Sequence, residues 1–340
     1  MRRRWYLVPV AVFIVSFLVA GSMALQMRLA IKTVMDAAAK NDWPVIVTES
    51  GDPLFPHGIY TLDGRGGLLT TLTMPKMPQH VLFADDGALL AFTSSAYRSG
   101  RSIYFRIGFP DYRPHRVRMP SANVPKEYRR SYWNSIRESP RYAWGSFGTP
   151  SDMIILDALS GNATVLRFKA GRPWSDDTVD SQVPIWTDKT DMLVMVQTRN
   201  SAAASSGAPP RTDSLWRYDG SAGTWTRLAE GSFTGAAIGQ DGRIIALGIS
   251  SPPSLPRVDF MDATTGQVLH TVDGAYQAAI GRRWAACTRF FAPRKSREIL
   301  LFDMANSWES HKIVIRKNVI SPVKFGGLAI YEPGASGSRQ

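Results

Sequence analysis

One local pattern recurs along most of the chain: an apolar strand ending in aspartate, a few small residues, often glycine, then a second strand. It reads IYTLDGRGGLLTTL over residues 59–72, IILDALSGNATVL over 154–166, LWRYDGSAGTWTRL over 215–228, VDFMDATTGQVLHTV over 258–272 and ILLFDMANSWESHKIVI over 299–315. Aspartate accepts hydrogen bonds from its own downstream backbone, and glycine takes positive φ without steric cost, so each copy predicts a β-hairpin. A second, apolar–turn–apolar type lies between these hairpins, at 81–93, 184–196, 236–248 and 277–288. Two of its turns carry the hairpin dipeptides Asp86-Gly87 and Asp241-Gly242.

The turn aspartates Asp63, Asp111, Asp157, Asp219, Asp262 and Asp303 are spaced 48, 46, 62, 43 and 41 residues apart. The long interval contains the low-complexity stretch 200–212 (NSAAASSGAPPRT). A period of about 40–50 residues with four strands per unit is that of a propeller blade. The expected fold class is therefore all-β: a six-bladed β-propeller of four-stranded blades over residues 43–340. Residues 44–48 (PVIVT) are expected to close the ring against 328–332 (LAIYE), removing exposed sheet edges.

The N-terminal part has a different character. Arg2, Arg3 and Arg4 precede an uncharged run over residues 5–25, and a helix needs roughly 20 apolar residues to cross a bilayer. Trp5 and Tyr6 stand where an interfacial aromatic belt would lie, and the arginines place the N-terminus in the cytoplasm. Residues 1–4 thus read as a cytoplasmic tail, 5–25 as a transmembrane signal anchor and 26–42 as a helical stalk. In the stalk Met27, Ile31, Val34, Met35 and Ala38 share one stripe, and Arg28, Lys32, Asp36 and Lys40 recur on another. The rival is a cleaved signal peptide, since Ser22-Met23-Ala24 supplies small residues for cleavage. Either reading exports the domain. The expected location is the inner cell membrane, single-pass, with the bulk of the chain periplasmic or extracellular.

Residues 83–94 (FADDGALLAFTS) are similar to the inner hairpin of TolB-like periplasmic propellers, roughly F-S-P-D-G-x-x-L-A-F-T-S, and residues 139–144 (SPRYAW) resemble a copy without the Asp-Gly. The resemblance implies a six-bladed propeller and an exported location. The stalk stands where TolB-like proteins carry an α/β domain, so the Tol partnership is not carried over.

Catalytic signatures are missing from the sequence. His57, His80, His115, His270 and His311 form no local metal motif, and the expectation is no metal and no cofactor. There is no G-x-S-x-G and no phosphate-binding glycine loop. Cys287, in the apolar run WAACT, reads as a buried small hydrophobe, and as the single cysteine it excludes an internal disulfide. Asp85-Asp86 and Asp176-Asp177 read as solvated turn carboxylates. Most tryptophans, among them Trp144, Trp186, Trp216, Trp225, Trp284 and Trp308, are expected to pack between blades.

What stands out is charge. The formal net charge is +12, and residues 98–141 hold eleven basic residues against Asp111, Glu127 and Glu138. The stretch 110–142 also looks longer than a blade hairpin needs. Arg113, Arg116, Arg118, Arg129, Arg130 and Arg137, interleaved with Tyr132 and Trp133, are the candidate site: guanidinium forks bind phosphate or carboxylate, and the aromatics add stacking surface. Outside the cytoplasm nucleic acid is not an expected partner. The accessible partners are a protein, an acidic glycan or anionic lipid, besides the membrane held through the N-terminal helix. The functional expectation is a tethered binding or assembly module, more an adaptor than an enzyme. The alternative is a hydrolase or lyase acting on glycan or lactone in the central channel.

Overall fold

The computed structural model describes residues 43–49, 58–66, 68–73, 80–83, 89–94, 102–107, 114–117, 121–129, 134–136, 143–157, 160–175, 178–188, 190–199, 211–239, 241–250, 255–291, 296–315 and 327–332. The anchor and stalk at 1–42, Asp111 and the pairs Asp85-Asp86 and Asp176-Asp177 lie outside them. No described helix is long and apolar enough to cross a membrane. The described helices are single 3₁₀ turns at Ser121–Asn123 and Lys126–Tyr128.

All other elements are strands, and they form six four-stranded sheets. Sheet I comprises β1 (Val45–Glu49), β2 (Gly58–Asp63) and β3 (Leu68–Thr73), and sheet II β4 (His80–Phe83), β5 (Leu89–Ser94), β6 (Ser102–Ile107) and β7 (Pro114–Val117). Sheet III holds β8 (Asn134–Ile136), β9 (Ala143–Phe147), β10 (Asp152–Asp157) and β11 (Ala163–Arg167). Sheet IV holds β12 (Val179–Asp188), β13 (Asp191–Arg199), β14 (Arg211–Asp219) and β15 (Thr224–Gly231). Sheet V holds β16 (Phe233–Ile238), β17 (Ile244–Ile249), β18 (Arg257–Asp262) and β19 (Val268–Asp273). Sheet VI holds β20 (Ala275–Ile280), β21 (Trp284–Phe291), β22 (Ser296–Asp303) and β23 (Glu309–Ile315). The last strand, β24 (Leu328–Tyr331), returns to sheet I, whose order is β24-β1-β2-β3. Val45 faces Tyr331 on one side and Asp63 on the other, so an N-terminal strand is woven between the C-terminal strand and its own hairpin. It runs one residue later than the expected 44–48.

The core lies between sheets. One cluster joins Met153 and Leu166 of sheet III, and Phe168 just after it, to Met192, Val194 and Tyr218 of sheet IV. The next joins Trp186, Leu193 and Leu215 to Ile245, Leu247 and Met261. A third joins Ala246, Val258 and Phe260 to Ala285, Cys287 and Phe302, and a fourth joins Ala286, Ile299 and Leu301 to Ile46, Leu62 and Ile330. A middle strand is covered on both faces by neighbouring sheets and therefore reads as an unbroken apolar run, as in β17 (IIALGI). The outermost strands face solvent on one side; in β19 Val268 and Leu269 are exposed while Val272 is buried.

The hairpin aspartates do what their turns require. Asp262 accepts from the N–H groups of Thr264 and Thr265, at 2.9 and 2.7 Å, and Asp219 from those of Ser221 and Ala222, both at 2.9 Å. Four residues on, Gly161, Gly223 and Gly266 sit at φ of 71–73° and donate back to the carbonyls of Asp157, Asp219 and Asp262. Each of these three turns reaches the chain that follows the preceding sheet or its last strand. A Cβ on Gly266 would lie 2.9 Å from the Leu228 carbonyl oxygen of β15, one on Gly223 would meet Lys169, and the Gly161 carbonyl accepts from Asn123 Nδ2 at 2.7 Å. In sheet VI the glycine is replaced: Ser307 and Trp308 adopt φ of 52° and 62°.

Candidate functional site

The stretch 110–142 is not the single long insertion expected from its length. It contains β7, the outermost strand of sheet II, then two 3₁₀ turns, then β8 of sheet III. The sequence hid this because Pro-His-Arg-Val and Asn-Ser-Ile are short and carry no apolar alternation. Between the two strands, the described residues 121–129 strap sheet III. Val124 is buried, Asn123 holds the β10–β11 turn, and Tyr128 lies against Asp152 and Gly148 at the β9–β10 turn. Burial, with Asp152 beside it, pushes the Tyr128 phenol up.

Of the candidate residues, Arg116 and Arg129 are described, and both are exposed. Arg116 stands on β7 opposite Phe105, with exposed His115 before it. Arg129 donates from Nε to the Val124 carbonyl at 3.2 Å, which stiffens the connector. Lys126 is exposed on the same strap. Arg113, Arg118, Arg130, Tyr132, Trp133 and Arg137 lie outside the described residues.

Among the described residues, several groups that could carry acid–base chemistry have structural partners. Asp213 accepts from Gln197 Nε2 at 2.9 Å and from the Phe233 N–H at 2.8 Å, tying sheet IV to the start of sheet V. Asp259 accepts from Thr271 Oγ1 and Arg257 Nε, at 2.8 and 3.2 Å. Asp303 takes both Arg283 Nε and Nη2, and that guanidinium, with backbone N–H groups, holds its carboxyl below the usual range. Arg217 bridges sheets IV and V, donating to the Ala263 carbonyl at 2.9 Å and to Asp191 at 3.2 Å. His270 stacks on Trp308 at 4.9 Å, and burial lowers its pKa. Cys287 is fully buried and its thiol is pushed up by desolvation. Among the described residues no group of three or more His, Cys, Asp or Glu could hold a metal ion.

A second cluster, absent from the sequence reading, lies where sheets VI and I meet. Trp43, at the entry to β1, stacks on Trp284 at 5.3 Å and takes the edge of His311 at 4.6 Å. The Arg65 guanidinium lies 5.9 Å from the Trp43 ring centroid and that of Arg283 lies 5.1 Å from that of Trp284. Beneath them Glu332, just after β24, accepts from the Arg283 N–H at 3.1 Å and from the Trp284 N–H at 2.9 Å. Burial raises its pKa against the pull of those N–H groups. A signal was present: the β16–β17 turn is tied by Asp241, which accepts from the Arg243 N–H, whereas Gly281-Arg282-Arg283-Trp284 has no carboxylate of its own. Its backbone donors had to find one elsewhere.

No protein-family model matches the chain, and no curated protein matches it in sequence. Solved structures do. TolB from Acinetobacter baumannii matches 86% of this chain and 67% of its own at 12% identity, with a TM-score of 0.51. The β-propeller domain of the trilobed protease from Pyrococcus furiosus matches over 81% of this chain and 82% of its own, at 14% identity and a TM-score of 0.41. Apo AztD from Citrobacter koseri matches over 85% and 97%, at 11% identity and 0.41. At such identities the likeness concerns the fold: the chain is TolB-like in its all-β, propeller-type arrangement of four-stranded sheets.

Proposed function

We propose that the chain is a membrane-tethered, extracytoplasmic β-propeller of six blades, serving as a binding or assembly module for a protein, glycan or anionic surface. The observation that carries the binding reading is the engagement of its chemistry-bearing side chains. Asp213, Asp259, Asp303 and Glu332 hold turns and sheet junctions, and His270 and His311 pack on tryptophans. Exposed Arg116 and Lys126 are left for recognition. Six sheets whose first and last strands interlock support closure into one ring, which leaves no open edge between first and last units. The tether rests on the 21-residue uncharged run behind Arg2, Arg3 and Arg4.

Three measurements test this. A reporter active only outside the cytoplasm, fused after Gln340, should be active, and the full chain should stay with membranes through alkaline extraction. Reporter silence with a cytoplasmic control active would overturn the topology. Turnover of a lactone or glycan by the purified protein would replace the binding reading with the catalytic one.

A further inference from the structure

The arginine–tryptophan cluster between sheets VI and I coincides with the point where the N-terminal segment enters the propeller. Trp43, partly exposed, is the first residue of β1's approach; it stacks on Trp284, and the Arg65 guanidinium lies 5.9 Å from its ring centroid. The layering of charge at this spot is uneven. Asp303, which pairs with Arg283, has a side chain only 5% exposed, whereas that of Arg283 is 50% exposed. Glu332 is turned inward onto the backbone of the 281–284 turn, while Arg65, Arg282 and Arg283 are exposed. The net charge is small, but the outward layer is cationic, with Trp43 partly exposed beside it, while Trp284 and the Asp303 carboxylate are buried beneath. Tryptophan with arginine is the pairing that suits the headgroup region of a bilayer.

The attachment of the chain gives this end its orientation. It is the end that carries the β20–β21 and β22–β23 turns, held together by the Met304 N–H donating to the Arg283 carbonyl at 2.9 Å. Leu255, the most exposed large apolar residue described, stands on the β17–β18 connection at the opposite end of the strands. The chain enters the propeller at Trp43, just before β1, so a tether that precedes it leaves from this end and not from the Leu255 end.

Resting on the tether reading, we propose that the Trp43–Trp284 end of the propeller is its membrane-facing surface, where Arg65, Arg282 and Arg283 meet anionic lipid headgroups. The opposite end then points away from the bilayer and is presented to partners.

The buried Cys287 makes a direct test possible, because a fluorophore can be placed on one introduced thiol in the otherwise natural full chain. Ala305→Cys labels the proposed proximal end and Leu255→Cys the distal one. Both proteins are reconstituted in phosphatidylglycerol-containing and in purely phosphatidylcholine vesicles doped with headgroup-nitroxide lipid. The expected result is several-fold stronger quenching at position 305 than at 255 in the anionic vesicles. That difference should fall in neutral vesicles, and in the Arg65→Glu, Arg282→Glu variant with the fold intact by circular dichroism. Equal quenching at both positions, or stronger quenching at 255, in chain that floats with the vesicles overturns the proposal and leaves the tether standing. Chain that does not float with the vesicles overturns both.

Discussion

At the scale of single residues, this protein is a study of left-handed backbone positions in repeated turns. Gly266 sits at φ 72° with the Leu228 carbonyl where a Cβ would go. A left-handed L-residue costs roughly 1–2 kcal/mol before any clash. Gly266→Ala should therefore lower the unfolding free energy by at least about 1 kcal/mol, read from the denaturant midpoint. Sheet VI breaks the rule, with Ser307 at φ 52° where the other turns have glycine. Its neighbour Trp308, at φ 62°, packs on Phe260, Phe302 and His270, which offsets the strain. Ser307→Gly should relieve the strain and raise stability by up to about 1 kcal/mol, with Trp308 left in place. The aspartates add a pH dependence. Asp303 has its pKa lowered, chiefly by Arg283, so its contribution is full above the unfolded value of about 3.9 and is lost as pH falls through the folded value. The unfolding midpoint of Asp303→Asn should accordingly change less than that of the natural protein between about pH 5 and pH 3. An equal change in both would show that Arg283 lends Asp303 no stabilisation.

At the scale of elements, the decisive one is β1. It lends hydrogen bonds to β24 on one side and β2 on the other, five residues holding together segments about 270 positions apart. Removing residues 43–49 would leave both neighbours with an open edge, a template for pairing between molecules. The shortened protein should scatter light and elute as large species in size-exclusion chromatography; a monomeric elution would show that sheet I closes without it. The middle strands were legible in sequence because burial on both faces selects apolar runs such as β17 and residues 284–287 of β21. β7 and β8 were not, since an outer edge strand and a four- or three-residue strand carry too little pattern to separate from a loop. That is why two strands and a strap first read as one basic insertion.

At the scale of the molecule, charge is distributed unevenly, with eleven basic residues concentrated between positions 98 and 141. If that surface acts as a unit, its weak attractions add. Each basic side chain near an anionic surface is worth on the order of 1 kcal/mol within a Debye length. Reversing Arg116, Arg118 and Arg130 to glutamate should weaken co-sedimentation of residues 43–340 with acidic glycan or anionic vesicles by roughly 3 kcal/mol, over a hundredfold. Equal binding to neutral and anionic targets, or no response to salt, would show that these arginines only solubilise the surface.

Local chemistry is what the sequence by itself determined. Aspartate and glycine at set offsets specify hairpins, their recurrence marks a repeat of four-stranded sheets, and continuous apolar runs mark strands buried on both faces, because these effects act within a few residues. Association between distant segments was left to the tertiary structure. Glu332 caps a turn fifty positions before it, and Trp43 stacks on Trp284 and Arg65. Val45 finds Tyr331. No periodicity records such pairs, since each side chain alone is satisfied by many partners and the geometry of neighbouring sheets chooses among them. For the same reason the arginine stretch could be counted from sequence, but only the packing of 121–129 against sheet III shows which of its atoms are held by the fold and which face outward.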